Sequence, residues 1–114
     1  MKNYIPEQKD IVWINFDPQA GNEQKGKRPA LILSPSQYNE KTNLAICVPI
    51  TSKIKGYSFE VKIPIGLKVS GVILSDHVKS LDWKIREAKF IDKLPDFEFN
   101  EVIEKLSLLL KVYI

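Results

Sequence analysis

Arg28 stands directly before Pro29 in the stretch Gly21-Asn22-Glu23-Gln24-Lys25-Gly26-Lys27-Arg28-Pro29-Ala30, where Lys25, Lys27 and Arg28 face a single acid, Glu23. Proline fixes its own φ and biases the residue before it toward extended geometry, so the guanidinium is held where this loop meets the next apolar run. A planar five-donor fork fixed in that way suits a phosphate group. The two glycines let the backbone approach a ligand closely, and the lysines raise the local positive potential. A lysine in a turn is by itself ordinary solvated surface. The arginine before proline is what gives this loop a chemistry.

The loop is bracketed by two strands. Residues 10–16 alternate loosely, with Val12, Ile14 and Phe16 on one face, and residues 29–34 form a continuous apolar run expected to be buried on both sides. Further strands are expected over residues 44–51, over 59–63, where Phe59, Val61 and Ile63 alternate with Glu60 and Lys62, over 71–81 and over 86–91. Turns are expected at Ile65-Gly66 and Leu81-Asp82. Near Pro95 the period changes: Phe99, Val102, Ile103, Leu106, Leu109, Leu110 and Tyr113 recur at helical spacing, with Asp96 and Glu98 suited to a helix N-terminus. Short strands followed by one amphipathic helix predict a mainly β fold, a small barrel closed by a C-terminal helix. The helix stripe reads as a core-packing face, and Leu108, Val112 and Ile114, which lie off it, point to a second buried surface of the kind a dimer supplies.

Bulk properties narrow the class. At 114 residues, with 44% hydrophobic and 27% charged, the chain suits a single domain spanning 1–114. A net charge of +3 is too small to argue for nucleic acid alone, so the placement of the cations must carry that argument. One cysteine, Cys47 between Ile46 and Val48, excludes an internal disulfide and predicts a buried, reduced thiol. There is no signal-like N-terminal segment and no apolar run of about eighteen residues, which predicts a cytoplasmic protein with no membrane span. One histidine and one cysteine supply no zinc spacing, so neither a metal nor another cofactor is expected.

The order and spacing of Asp10-Ile11-Val12-Trp13, Phe16-Asp17-Pro18, Gly21, Glu23-Gln24, Gly26, Arg28-Pro29-Ala30 and Ser34-Pro35 resemble those of the MazF/PemK family of toxins. Val48-Pro49-Ile50-Thr51, Lys55-Gly56-Tyr57, Phe59-Glu60-Val61, Gly71-Val72 and Asp76-His77-Val78-Lys79-Ser80 continue the likeness over nearly the whole chain. The resemblance implies an SH3-like barrel of the kind shared with Kid and CcdB, assembled as a homodimer. It also implies a toxin of a type II toxin–antitoxin system that acts as a sequence-specific, metal-independent endoribonuclease on single-stranded mRNA and is silenced by a cognate antitoxin. Cleavage in that family uses the substrate's 2′-hydroxyl and leaves a 2′,3′-cyclic phosphate and a 5′-hydroxyl. The family's catalytic arginine and threonine fall on Arg28 and Thr51.

In such a reaction Arg28 would meet the charge gathering on the phosphoryl oxygens, and Thr51 would position an oxygen rather than move a proton. Candidates for the proton acceptor are Glu23, Asp76 and His77. Glu23 and Asp76 rank first, because neighbours on a strand point to opposite faces and a lone histidine is more often structural. Gln24, Lys25, Lys27, Lys53, Lys55, Lys79 and Arg86 are the expected RNA contacts, forming a track along the backbone. Trp13 reads as core or interface, with base stacking as the alternative for Trp13 and Tyr57. Two positions depart from the family: Lys9, where relatives often carry Gly, and His77, where many carry Gln. Two other functions fit a barrel of this kind, a toxin that traps DNA gyrase and a nucleic-acid-binding barrel without catalysis.

Overall fold

The computed structural model describes residues 4–16 and 26–111. Among these residues seven strands and two helices follow one another as β1 (Asp10–Asn15), β2 (Lys27–Ile32), α1 (Ser36–Thr42), β3 (Leu44–Thr51), β4 (Glu60–Lys62), β5 (Val72–Leu74), β6 (Lys79–Asp82), β7 (Lys89–Lys93) and α2 (Asp96–Leu110). All pairings are antiparallel, in the order β4-β5-β3-β2-β1-β7, with β6 also on β3. The expected barrel is realised as a barrel-like sheet that stays open between β4 and β7.

β3 is the pivot. Its eight residues serve two neighbours in succession: Leu44–Cys47 pair with β6, and Ile50 and Thr51 pair with Ile73 and Val72 of β5. Thr51 therefore ends a strand at the junction of two sub-sheets. The central strands are apolar on both faces because both faces are covered. Leu31 and Val48 look toward α2, where they pack with Ile11, Ile73, Phe99 and Val102. Ala30, Ile32 and Cys47 pack on the opposite face with Val12, Ile14 and Trp83, and Tyr4, Ile5 and Phe16 cover them. Cys47 is a free, buried thiol whose pKa burial pushes up to about 12.

Three sequence expectations need correction. α1 was not foreseen: it is a seven-residue helix with a single fully buried side chain, Asn39, and so has no apolar period to read. Asn39 ties it down by donating to the carbonyls of Pro6 and Ser34 while its own carbonyl accepts the Trp83 indole N–H. The strand expected over 71–81 is two strands, because a turn closed by the His77 amide on the Leu74 carbonyl interrupts it, and Leu81 and Asp82 lie in β6 rather than in a turn. The stripe of α2 leaves the core toward its C-terminal end: Phe99 and Val102 are buried and Leu106 packs against the core, whereas Leu109 and Leu110 are 52% and 69% exposed.

Lys9 holds a positive φ of 80°, a conformation that favours glycine. Its backbone is pinned between Ile32 and Leu94, and its ammonium reaches Asp96 at the start of α2 at 2.8 Å. No helix among the described residues is long and apolar enough to cross a membrane.

Candidate functional site

β1 ends at Asn15 opposite Lys27, and Phe16 N–H donates to the Gly26 carbonyl at 2.8 Å, so the chain leaves and re-enters the sheet at one point. Arg28 follows as the second residue of β2, in the extended geometry that Pro29 demands, and it is exposed. The β2–β3 register pairs Ala30 with Pro49. Two residues further along, the same register brings Arg28 to the level of Thr51.

Both residues line a cleft of about 530 Å³ together with Lys27, Lys53, Lys68 and Trp13. Every charged side chain in that lining is a cation. The Arg28 side chain has no hydrogen-bond or ion-pair partner among the described residues, so its fork is unspent. The Thr51 hydroxyl oxygen accepts the Lys53 amide at 3.1 Å. That bond fixes the rotor and turns the connection after β3, while the hydroxyl proton is left to donate to an incoming oxygen. Gly71 makes the position of Thr51 possible. It has a φ of +115°, and a Cβ there would lie 2.2 Å from the Thr51 carbonyl oxygen.

Thr51 and Lys53 also line a second cleft, of about 410 Å³, whose far wall is Tyr57, Asp76 and His77. The Tyr57 hydroxyl donates to Asp76 Oδ1 at 3.1 Å and lies 3.3 Å from His77 Nε2, and that nitrogen is 3.7 Å from the same carboxylate oxygen. Partial burial, then the hydrogen bond and charge of Asp76, raise the Tyr57 pKa above its ordinary value, so the phenol stays protonated. Glu60 accepts the amides of Lys55 and Gly56, each at 3.0 Å, and so clamps the loop that carries Lys53, Lys55 and Tyr57.

The expected residues thus fall into groups. Arg28, Thr51, Lys27 and Lys53 share one cleft, and Asp76 and Lys55 share the next with Thr51. Glu23, Gln24 and Lys25 lie outside the described residues. Lys79, on β6 opposite Cys47, and Arg86, whose Nη1 donates to the Asn15 carbonyl at 2.9 Å, line neither cleft. Arg86 anchors the end of β1. His77 was set behind Asp76 on the ground that strand neighbours diverge, but the two occupy a turn and line the same cleft. Trp13, expected in core or interface, is 43% exposed on the cleft wall, while Trp83 is core. Sequence reasoning missed Lys68, which reaches the cleft from the β4–β5 connection and has no local signal.

Residues 7–110 match the family model described as PemK-like, MazF-like toxin of type II toxin–antitoxin systems. The chain is 41% identical over 110 residues to the endoribonuclease toxin MazF of Escherichia coli K12, covering 96% of this chain and 98% of that one. Among solved structures it is similar to MazF of Deinococcus radiodurans, with a TM-score of 0.87, 51% identity and coverage of 95% and 98%. It is also similar to a chain of the MazE–MazF complex of that organism, with a TM-score of 0.87, 45% identity and coverage of 97% and 100%.

Proposed function

Because this chain belongs to the PemK-like, MazF-like toxins of type II toxin–antitoxin systems, and is an endoribonuclease of that family, we propose that its Arg28–Thr51 cleft cuts single-stranded RNA by turning the substrate's own 2′-hydroxyl on the adjacent phosphodiester. The observation that carries this reading is the unspent guanidinium of Arg28 sharing an all-cationic cleft with an oriented hydroxyl. As the 2′-oxygen–phosphorus bond forms and the bond to the 5′-oxygen breaks, charge gathers on the non-bridging oxygens. Arg28 offers them two aligned donors and Thr51 a third. The products are a 2′,3′-cyclic phosphate and a 5′-hydroxyl. Lys27, Lys53 and Lys55 hold the flanking phosphates, and Gln24 and Lys25 are further expected contacts to the RNA. The candidates for the proton acceptor are Asp76 and His77 on the wall of the second cleft, and Glu23.

Two partners follow from the same reading. A cognate antitoxin silences the enzyme by competing for the cationic cleft. A second copy of the chain covers the apolar groove of about 610 Å³ that Leu33, Tyr38, Val78, Ile103, Leu106 and Leu110 line. Ile103→Asp should then shift the sedimenting species from dimer to monomer.

The deciding experiment incubates purified protein with single-stranded RNA in excess chelator and identifies the fragment ends. Cyclic phosphate and 5′-hydroxyl termini are the expected result. Cleavage that requires added Mg²⁺, or that leaves 5′-phosphates, would exclude the mechanism.

A further inference from the structure

The cluster beside Thr51 contains more than a carboxylate. We propose that His77 carries the 2′-hydroxyl proton, with Asp76 and Tyr57 holding its ring; the inference rests on the reading of the cleft as an RNA-cutting site.

A tyrosine hydroxyl has a single proton, and here it goes to Asp76 Oδ1 at 3.1 Å. The 3.3 Å contact between the same oxygen and His77 Nε2 then requires the nitrogen to be the donor. Nε2 therefore bears hydrogen. In the neutral ring the lone pair is left on Nδ1, which has no partner among the described residues. Fixing one ring nitrogen as donor so that the other serves as base is the arrangement that oriented histidines use in acid–base catalysis. Asp76, 3.7 Å from Nε2, is placed to stabilise the imidazolium once it forms.

Chemistry favours the imidazole over its neighbours. A carboxylate is a weak base toward a hydroxyl, whereas a neutral imidazole offers a ring lone pair and is the side chain most often used to take such a proton. The other charged groups around the ring are Glu60 on β4 and Lys53 and Lys55 on the facing loop, together with Asp76 on its own turn. Glu60 is committed to the loop amides, and lysine serves as a hydrogen-bond donor rather than an acceptor. In the step itself the 2′-hydroxyl proton passes to Nδ1, the freed electron pair forms the bond to phosphorus, and the 5′-oxygen leaves with its pair and takes a proton from water. His77 in its protonated form cannot act, so the rate should rise with pH as a single proton is lost.

The test uses an oligoribonucleotide containing the cleavage site mapped from fragment ends, cut under single-turnover conditions in chelator between pH 5 and 9. Wild type should show a rate that rises with pH along one limb and then reaches a plateau. His77→Gln should cut about a hundredfold more slowly at the plateau and lack that limb. It should bind the same oligonucleotide carrying a 2′-deoxy residue at the scissile position as tightly as wild type does. Asp76→Asn should keep the limb but displace it to lower pH, because the imidazolium loses its carboxylate. A limb retained in His77→Gln, or a plateau rate within about threefold of wild type, overturns the assignment. Cleavage by wild type with an unaltered His77→Gln profile overturns this inference alone. Wild-type protein that leaves the RNA intact overturns the cleavage reading and this inference with it.

Discussion

Replacing Gly71 by alanine should strike the site through the backbone, without touching a side chain that meets RNA. Gly71 holds a φ of +115°, and the added Cβ would lie 2.2 Å from the Thr51 carbonyl oxygen, 2.9 Å from its carbon and 3.1 Å from Ser52 Cα. All three atoms are backbone, and neither side can retreat freely. Thr51 is paired with Val72, and the Gly71 carbonyl accepts the Ile63 amide at 3.0 Å. Gly66 supplies the control: its φ is +107°, and a Cβ there would meet nothing within 4 Å. Gly66→Ala should therefore cost only the conformational strain, about 1 kcal/mol. Gly71→Ala adds an overpacking cost to that strain, for a total of about 3 kcal/mol. Urea denaturation followed by tryptophan fluorescence measures both. Under native conditions Gly71→Ala should also slow RNA cleavage while Gly66→Ala does not. A stability difference between the two variants below about 0.5 kcal/mol would refute the close approach of Gly71 to Thr51 and its role in placing the hydroxyl.

Lys27→Ala, Lys53→Ala and Lys55→Ala should each weaken RNA binding and lower the slope of log affinity against log salt by about one, measured by fluorescence anisotropy at several salt concentrations. Lys79→Ala, away from both clefts, should leave that slope unchanged. Cys47 should resist iodoacetamide at pH 8 in the folded protein and react on unfolding, as mass spectrometry of the alkylated chain would report, because burial holds its thiol pKa near 12. Asp92 accepts the amides of Lys68 and Lys93, which hold its carboxyl below the ordinary aspartate value of 3.8. A depressed folded-state pKa contributes stability that is present above 3.8 and lost as pH falls through the folded value. Asp92→Asn should accordingly flatten the stability loss as pH falls below about 4 in acid titrations followed by circular dichroism.

Much of this architecture was legible because it rests on period and punctuation. The alternation of Val12, Ile14 and Phe16 placed β1, the continuous run 44–51 gave β3 its bounds, and the helical spacing after Pro95 located α2. Arg28 was legible for a different reason. Proline constrains the residue before it locally, so its extended geometry needs no tertiary information. The failures came where tertiary contacts decide. α1 is held by Asn39 bonding to Pro6 and Trp83, 33 and 44 residues away, and no window of sequence contains those partners. A turn over 74–77 interrupts what reads as one apolar strand, and that turn is what brings His77 to the same cleft as Asp76. Lys68 and Gly71 take their meaning only from the fold that carries the β4–β5 connection past Thr51.

The central claim, that Arg28 stabilises charge on phosphorus and does more than attract RNA, is tested most directly by single-turnover cleavage with affinity measured separately. The account predicts that Arg28→Ala lowers the rate at saturating protein by about a hundredfold or more, with a much smaller loss of affinity for a non-cleavable 2′-deoxy analogue. Arg28→Lys should keep most of that affinity yet fail to recover the rate, since an ammonium lacks the paired donors. A lysine variant that cuts at the wild-type rate, or an alanine variant whose whole defect disappears at saturation, would contradict it.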